Sequence, residues 1–138
     1  MTAQQTASRQ IGSTAACLLV RDVREAAQYY SDKLGFVAPQ LWGEPEATFA
    51  IPQRDDQSIM LARANEGKPV HANSTDFGMF SAYFWVRDVD ALHAEFAGNG
   101  ADIAEEPTNR AYGIREIYVR DLDGHLLCFG SDIDEVQH

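Results

Sequence analysis

Cysteine is scarce in this chain. Cys17 and Cys128 are the only two among 138 residues. A pair this far apart makes no disulfide framework, and neither cysteine belongs to a C-x-x-C zinc pattern. Both lie in apolar stretches, where buried free thiols are the ordinary outcome. Long apolar runs are missing as well, since no segment approaches the roughly 20 residues that span a bilayer. Met1 to Gly12 is polar and lacks the apolar core of a signal peptide, so a cytoplasmic protein is expected. Basic residues are few: 11 Lys and Arg stand against 21 Asp and Glu, for a formal net charge of −10. That charge repels nucleic-acid phosphates and anionic membrane surfaces, and neither is expected as a partner. Several catalytic signatures are absent too: there is no G-x-S-x-G elbow, no phosphate-binding glycine loop and no Cys–His pair placed by a motif. Gly98-Asn99-Gly100 reads as the end of a helix.

What remains is a globular composition, 45% hydrophobic, of a length suited to one domain. An internal repeat organises it. Val20-Arg21-Asp22-Val23 recurs 66 residues later as Val86-Arg87-Asp88-Val89. Each copy follows an apolar run, Ala15 to Leu19 in one and Ala82 to Trp85 in the other. Each precedes a helical pattern, carried first by Val23, Ala26, Ala27, Tyr30 and Leu34, then by Val89, Leu92 and Phe96. Asp22 and Asp88 are positioned as N-caps, and glycines at 35, 98 and 100 mark the helix ends.

Shorter apolar runs follow each helix. They are Phe36–Leu41, Ala47–Ile51 and Ser58–Arg63 in the first half, and Asp102–Ala104, Arg115–Val119 and His125–Phe129 in the second. Asp121-Leu122-Asp123-Gly124 reads as a hairpin turn. The expected organisation is a flexible N-terminus over 1–12, a first module over 13–64, a linker over 65–78, a second module over 79–132 and a tail over 133–138. Each module reads as strand, helix and three strands, an α+β pattern. A half this small cannot bury a core alone, so the two must pack together or with another chain.

These residues resemble the glyoxalase/bleomycin-resistance/dioxygenase (vicinal-oxygen-chelate) superfamily over about Ser13 to Asp132. The resemblance is carried by Val86 to Leu92, by Tyr112-Gly113-Ile114-Arg115-Glu116, and by Val119 to His125, where Leu122 stands in place of the family's usual turn proline. It implies two paired βαβββ modules with half-open mixed sheets and outer helices, a cavity between modules, and a homodimer that often shares its pocket across chains.

The resemblance also says where metal ligands would sit: on inward faces of the first, fourth, fifth and eighth strands. Those positions are Ala15, Met60, Ser81 and Cys128, a poor set for a hard divalent ion. His71, His93, His125 and His138 read as solvated or locally bonded. Cys17 with Cys128 supplies too few thiolates for a tetrahedral soft-metal site. No metal or other cofactor is therefore expected.

Strand alternation sends Ala16, Leu18, Val20, Ala82, Phe84, Val86, Leu127 and Phe129 to the core. It sends Ala15, Cys17, Leu19, Ser81, Tyr83, Trp85, Leu126 and Cys128 to the cavity. The candidate ligand-binding set is Trp42, Phe49, Met60, Tyr83, Trp85, Tyr112, Glu116, Tyr118 and Cys128, an aromatic wall with a few polar groups. Glu116 is the one catalytic candidate, as a base or as a counter-charge; the competing reading pairs it with Arg110, Arg115 or Arg120. The sequence reading is thus a metal-independent binding protein of the bleomycin-resistance type for a planar ligand, cationic in one form of the reading. Its alternatives are a lyase or dioxygenase of the same fold and a ligand-free structural or regulatory dimer.

Overall fold

The computed structural model describes residues 9–38, 40–65, 68–76 and 78–133. Two four-stranded mixed sheets carry the architecture. The first contains β1 (Cys17–Val20), β2 (Leu41–Trp42), β3 (Phe49–Ala50) and β6 (Met60–Arg63), in the order β1-β6-β3-β2. The second contains β7 (Ala82–Trp85), β8 (Asp102–Asn109), β9 (Ile114–Arg120) and β10 (Leu126–Asp132), in the order β7-β10-β9-β8. In each sheet the first strand pairs in parallel with the last one in sequence, as β1 with β6 and β7 with β10. The other pairings are antiparallel, so the repeat in the sequence is a repeat in topology.

Helix α1 (Val23–Leu34) follows β1, and its counterpart, α3 (Val89–Gly98), follows β7. Between them, α2 (Asn73–Asp76) is a single turn inside the polar stretch 65–78. Asp22 and Asp88 are N-caps in extended backbone, accepting from Glu25 N and Ala91 N. Gly35 closes α1 at φ 74°, a left-handed conformation that an L side chain rarely adopts.

The helix-facing sides of both sheets meet in one core. Leu18, Val20, Tyr30, Leu34 and Leu61 from the first half are buried with Val89, Phe96, Val119, Leu127 and Phe129 from the second. Aromatic rings cross the boundary: Phe36 lies edge-on to Phe84 at 6.1 Å, and Phe84 in turn stacks on Phe129 within the second half at 4.6 Å. The two halves therefore pack within one chain through their helix-bearing faces, and the opposite faces point outward. Cys17, Leu19 and Trp85 on those outer faces are exposed, Trp85 at 73%.

The turn at Asp121–Gly124 is the polar bolt of this arrangement. Asp121 accepts from the Tyr30 hydroxyl at 2.8 Å and from the Asp123 and His125 amides at 2.9 Å. Asp123 accepts from the amide and guanidinium of Arg21. His125 reaches the Leu19 carbonyl with Nε2 at 2.7 Å, and its Nδ1 lies 3.0 Å from the Ser81 hydroxyl. A carbonyl oxygen only accepts, so Nε2 carries a proton and donates to Leu19; in the neutral ring Nδ1 then accepts from the Ser81 hydroxyl. The expectation of a solvated or locally bonded His125 is thus corrected: it is buried, and its partner is 106 residues away.

Three strand readings also change. The run expected to end at Ala104 continues to Asn109, with register shifts on either side of Glu105. Glu105, Glu106 and Pro107 are tolerated there because β8 is an edge strand that pairs on one side only. Phe36–Leu41 contributes only a bridge from Val37 to Gln53 before β2 begins. An unforeseen hairpin joins β4 (Gln53–Arg54) to β5 (Gln57–Ser58). Its turn places Asp55 and Asp56 at φ 51° and 64°, as the two-residue turn matching strand twist requires.

Candidate functional site

The outer face of the second sheet is built by strand alternation. Its rows are set by register: Tyr83 lies beside Cys128, Cys128 beside Tyr118, and Tyr118 beside Glu105. In the next row Trp85 lies beside Gly130, Gly130 beside Glu116, and Glu116 beside Thr108. Tyr112 approaches from the turn before β9.

Glu116 is the centre. It is 1% exposed and accepts from Tyr83 Oη at 2.7 Å, from Tyr112 Oη at 2.8 Å and from Arg110 Nε at 3.2 Å. Burial by itself would raise this carboxyl. The bonds from Tyr83, Tyr112 and Arg110 outweigh it and hold the group below its ordinary value. Arg110 also pairs with Glu105 through Nη2 and lies 5.5 Å over the Tyr118 ring. Of the three arginines considered from sequence, Arg110 is the partner. Arg115 instead bonds Asp90 and Asn109, and Arg120 pairs with Asp102. The signal available in the sequence was only proximity along the chain; the choice among the three was made by the strand, which turns Arg115 to the opposite face.

Gly130 makes the cluster possible. A Cβ there would run into the Tyr83 hydroxyl and lie 2.8 Å from Ile114 Cγ2. Tyr83 therefore reaches Glu116 across a position that no other residue can occupy unchanged. Sequence reasoning passed over Gly130, since a glycine late in a strand has several ordinary explanations. Gly130→Ala is expected to displace Tyr83 from Glu116. In the native protein, burial and then that hydrogen bond raise the Tyr83 phenol. In a spectrophotometric tyrosine titration, one additional phenol should ionise near the usual value of about 10 in the variant. An unchanged titration would mean that Tyr83 stays in place.

Cys128 is fully buried, whereas Cys17 is exposed. Burial first, then the neighbouring Glu116 charge, push the Cys128 thiol up to about 12. It stays protonated at neutral pH and is a poor nucleophile. An aromatic disulfide reagent at about pH 8 should modify one thiol per chain rapidly and the second at least about 100-fold more slowly. Two equal rates would contradict this placement.

The remaining candidates stand on the other sheet. Trp42 and Phe49 pair across β2 and β3 with rings 5.8 Å apart, and Met60 pairs with Cys17. The nine residues expected to form one pocket are thus divided between the outer faces of two sheets. Tyr83, Trp85, Tyr112, Glu116, Tyr118 and Cys128 share one, and Trp42, Phe49 and Met60 share the other. Trp85 and Tyr83 rings are 4.8 Å apart. A cavity of about 670 Å³ lies beside them, bounded also by Ala15 and by Ile59.

The donor set does not fit a divalent metal. Ala15 has no donor atom, Met60 offers a thioether, Ser81 bonds His125 and Cys128 keeps its proton. Among the described residues no group of three or more His, Cys, Asp or Glu could hold an ion. His71 is exposed and His93 half-buried on α3, while His138 lies outside the described residues. No helix of the described residues is long and apolar enough to cross a membrane.

A two-sheet α+β chain with this paired βαβββ topology defines a class, and comparison with known proteins agrees. The model of the Glyoxalase/Bleomycin resistance protein/Dioxygenase superfamily matches residues 10–129. The chain belongs to that superfamily. Among solved structures, TioX from Micromonospora sp. ML1 is 25% identical with a TM-score of 0.68, over 88% of this chain and 99% of that one. A glyoxalase-related enzyme from Clostridium phytofermentans has a TM-score of 0.72 at 16% identity, over 92% and 99%. TnmS3, an antibiotic binding protein from Streptomyces sp. CB03234, has a TM-score of 0.64 at 19% identity, over 90% and 99%. Comparison with curated proteins finds no match.

Proposed function

We propose that this protein is a metal-independent binding protein that sequesters a planar small molecule in an aromatic groove. The observation that carries the reading is the outer face of the second sheet. There Tyr83 and Tyr112 donate, with Arg110, to a buried carboxylate, and Trp85 and Tyr118 stand on the same face. Exposed rings offer flat apolar area, and the cluster beneath holds them in place. TnmS3, described as an antibiotic binding protein, lends support at the level of the class.

The groove in this reading is shared. Trp42, Phe49 and Met60 of one chain would face Tyr83, Trp85 and Tyr118 of a second copy, forming a homodimer with two equivalent sites. The exposure of Trp85 and Leu19 on the two outer faces supports a covering partner. The enzyme reading is less well supported. A general base must reach the proton it takes, and Glu116 is 1% exposed with Tyr83, Tyr112 and Arg110 already against it. The alternative in which Trp42 and Trp85 fill their own cavity draws no support from Trp85 at 73% exposure.

Calorimetric titration tests the reading. Chelator-treated protein should take up no stoichiometric zinc, nickel, iron(II) or manganese. A panel of planar compounds, bleomycin included, should yield at least one ligand at one per chain, with a dimer by analytical ultracentrifugation. One tightly bound metal per chain would overturn metal independence. A panel without any binder would remove the binding role.

A further inference from the structure

The same face carries information about which ligand it takes, on the premise of the small-molecule reading just proposed. An ionised carboxylate has no proton to donate, so every bond to Glu116 is donated by its partner. Tyr83 and Tyr112 have one hydroxyl proton each, and both are directed at Glu116, at 2.7 Å and 2.8 Å. Arg110 directs Nε to Glu116 and Nη2 to Glu105. What the two phenols have left toward the groove is oxygen lone pairs. Tyr83 is half-buried and Tyr112 exposed, so a ligand can lie against both rings.

We infer that this tyrosine pair selects for donors: an N–H or O–H of the bound molecule meets the Tyr83 and Tyr112 oxygens, and a planar ligand offering only acceptors there is discriminated against. Glu116 is then a positioning residue, which sets the polarity of the phenols without touching the ligand. Net charge need not enter, because a neutral N–H satisfies the same oxygen. Gly130 belongs to the same device, since the empty position above it lets Tyr83 reach the carboxylate. One unmade hydrogen bond at a half-exposed site corresponds to roughly tenfold in affinity.

Indole and quinoline make the test. Both are planar, bicyclic and neutral at pH 7; indole offers one N–H donor and quinoline one nitrogen acceptor. Protein-observed NMR, following the Trp85 indole signal, should show indole binding about tenfold more tightly than quinoline. In Tyr83→Phe/Tyr112→Phe the preference should fall to within about twofold. In Glu116→Gln the amide N–H can donate to a phenol oxygen and release that hydroxyl proton toward the groove, so quinoline should gain relative to indole. The two variants are independent, and the Phe pair keeps ring volume should Glu116→Gln fail to fold.

Equal binding of the two probes to the native protein would overturn the inference and leave the small-molecule reading standing. A preference that survives in the Phe pair would overturn it as well, because the donor would be met elsewhere. If neither probe nor bleomycin binds at millimolar concentration, the planar-ligand reading falls and this inference with it.

Discussion

Asp121→Ala is expected to destabilise the protein by about 4 kcal/mol, read from urea unfolding at neutral pH. The loss comes from what is left behind. Tyr30 is fully buried, and its hydroxyl would face a cavity without an acceptor. The Asp123 and His125 amides would lose their acceptor too, and with them the turn that presents Asp123 to Arg21. Asp121→Asn separates lost hydrogen bonds from lost charge. Its Oδ1 can still take both amides, and its Nδ2 can donate to the Tyr30 oxygen, so it should recover most of the stability. Burial raises the Asp121 carboxyl above its usual 3.8, past what His125 and the Tyr30 bond recover. Its contribution is therefore complete below 3.8 and is lost as pH rises through the folded value. Asp121→Asn should accordingly gain on the native protein as pH climbs from about 4 to about 7. A loss under about 1 kcal/mol in Asp121→Ala would mean that water takes the carboxylate's place.

Glu116→Leu should cost about 3 kcal/mol and, on the binding role proposed above, weaken indole binding about tenfold. Two phenols and a guanidinium lose one shared acceptor; Tyr112 and Arg110 can turn to water, while Tyr83, wedged over Gly130, has less freedom. The pH dependence has the opposite sign to that of Asp121. The folded Glu116 carboxyl sits below its usual 4.5, so its stabilisation is complete above 4.5 and is lost as pH falls through the folded value. The stability gap between native protein and Glu116→Gln should narrow in acid below about pH 4.5. A gap that widens there would mean that burial dominates the carboxyl and that the donors are not engaged.

Much of this protein was legible along the chain because it is local. The Asp22 and Asp88 caps depend on amides three residues away, and the core faces of β1, β7 and β10 follow from alternation. The repeated Val-Arg-Asp-Val exposed the module, and the module identified the superfamily. Long-range choices were another matter. That Arg110 rather than Arg115 or Arg120 meets Glu116 depends on position across the sheet: Arg115 leaves the opposite face, and Arg120 shares the face of Glu116 but sits at the far end of β9, paired with Asp102. That His125 bonds Leu19 depends on a turn from one half reaching the other. Gly130 matters only because a tyrosine from a neighbouring strand crosses it.

Sequence alone thus determined the two long helices with their N-caps, the repeated strands and their buried faces, since these are settled by period and by neighbours within a few residues. The β4–β5 hairpin and the full length of β8 were not legible there. Only the tertiary structure decided which polar atoms meet. A hydrogen bond needs about 3 Å between atoms far apart in the chain, and no periodicity encodes that distance. The division of the aromatic candidates between two outward faces is of the same kind. It follows from how the two sheets pack together through their helix-bearing faces, which alternation within a strand leaves open.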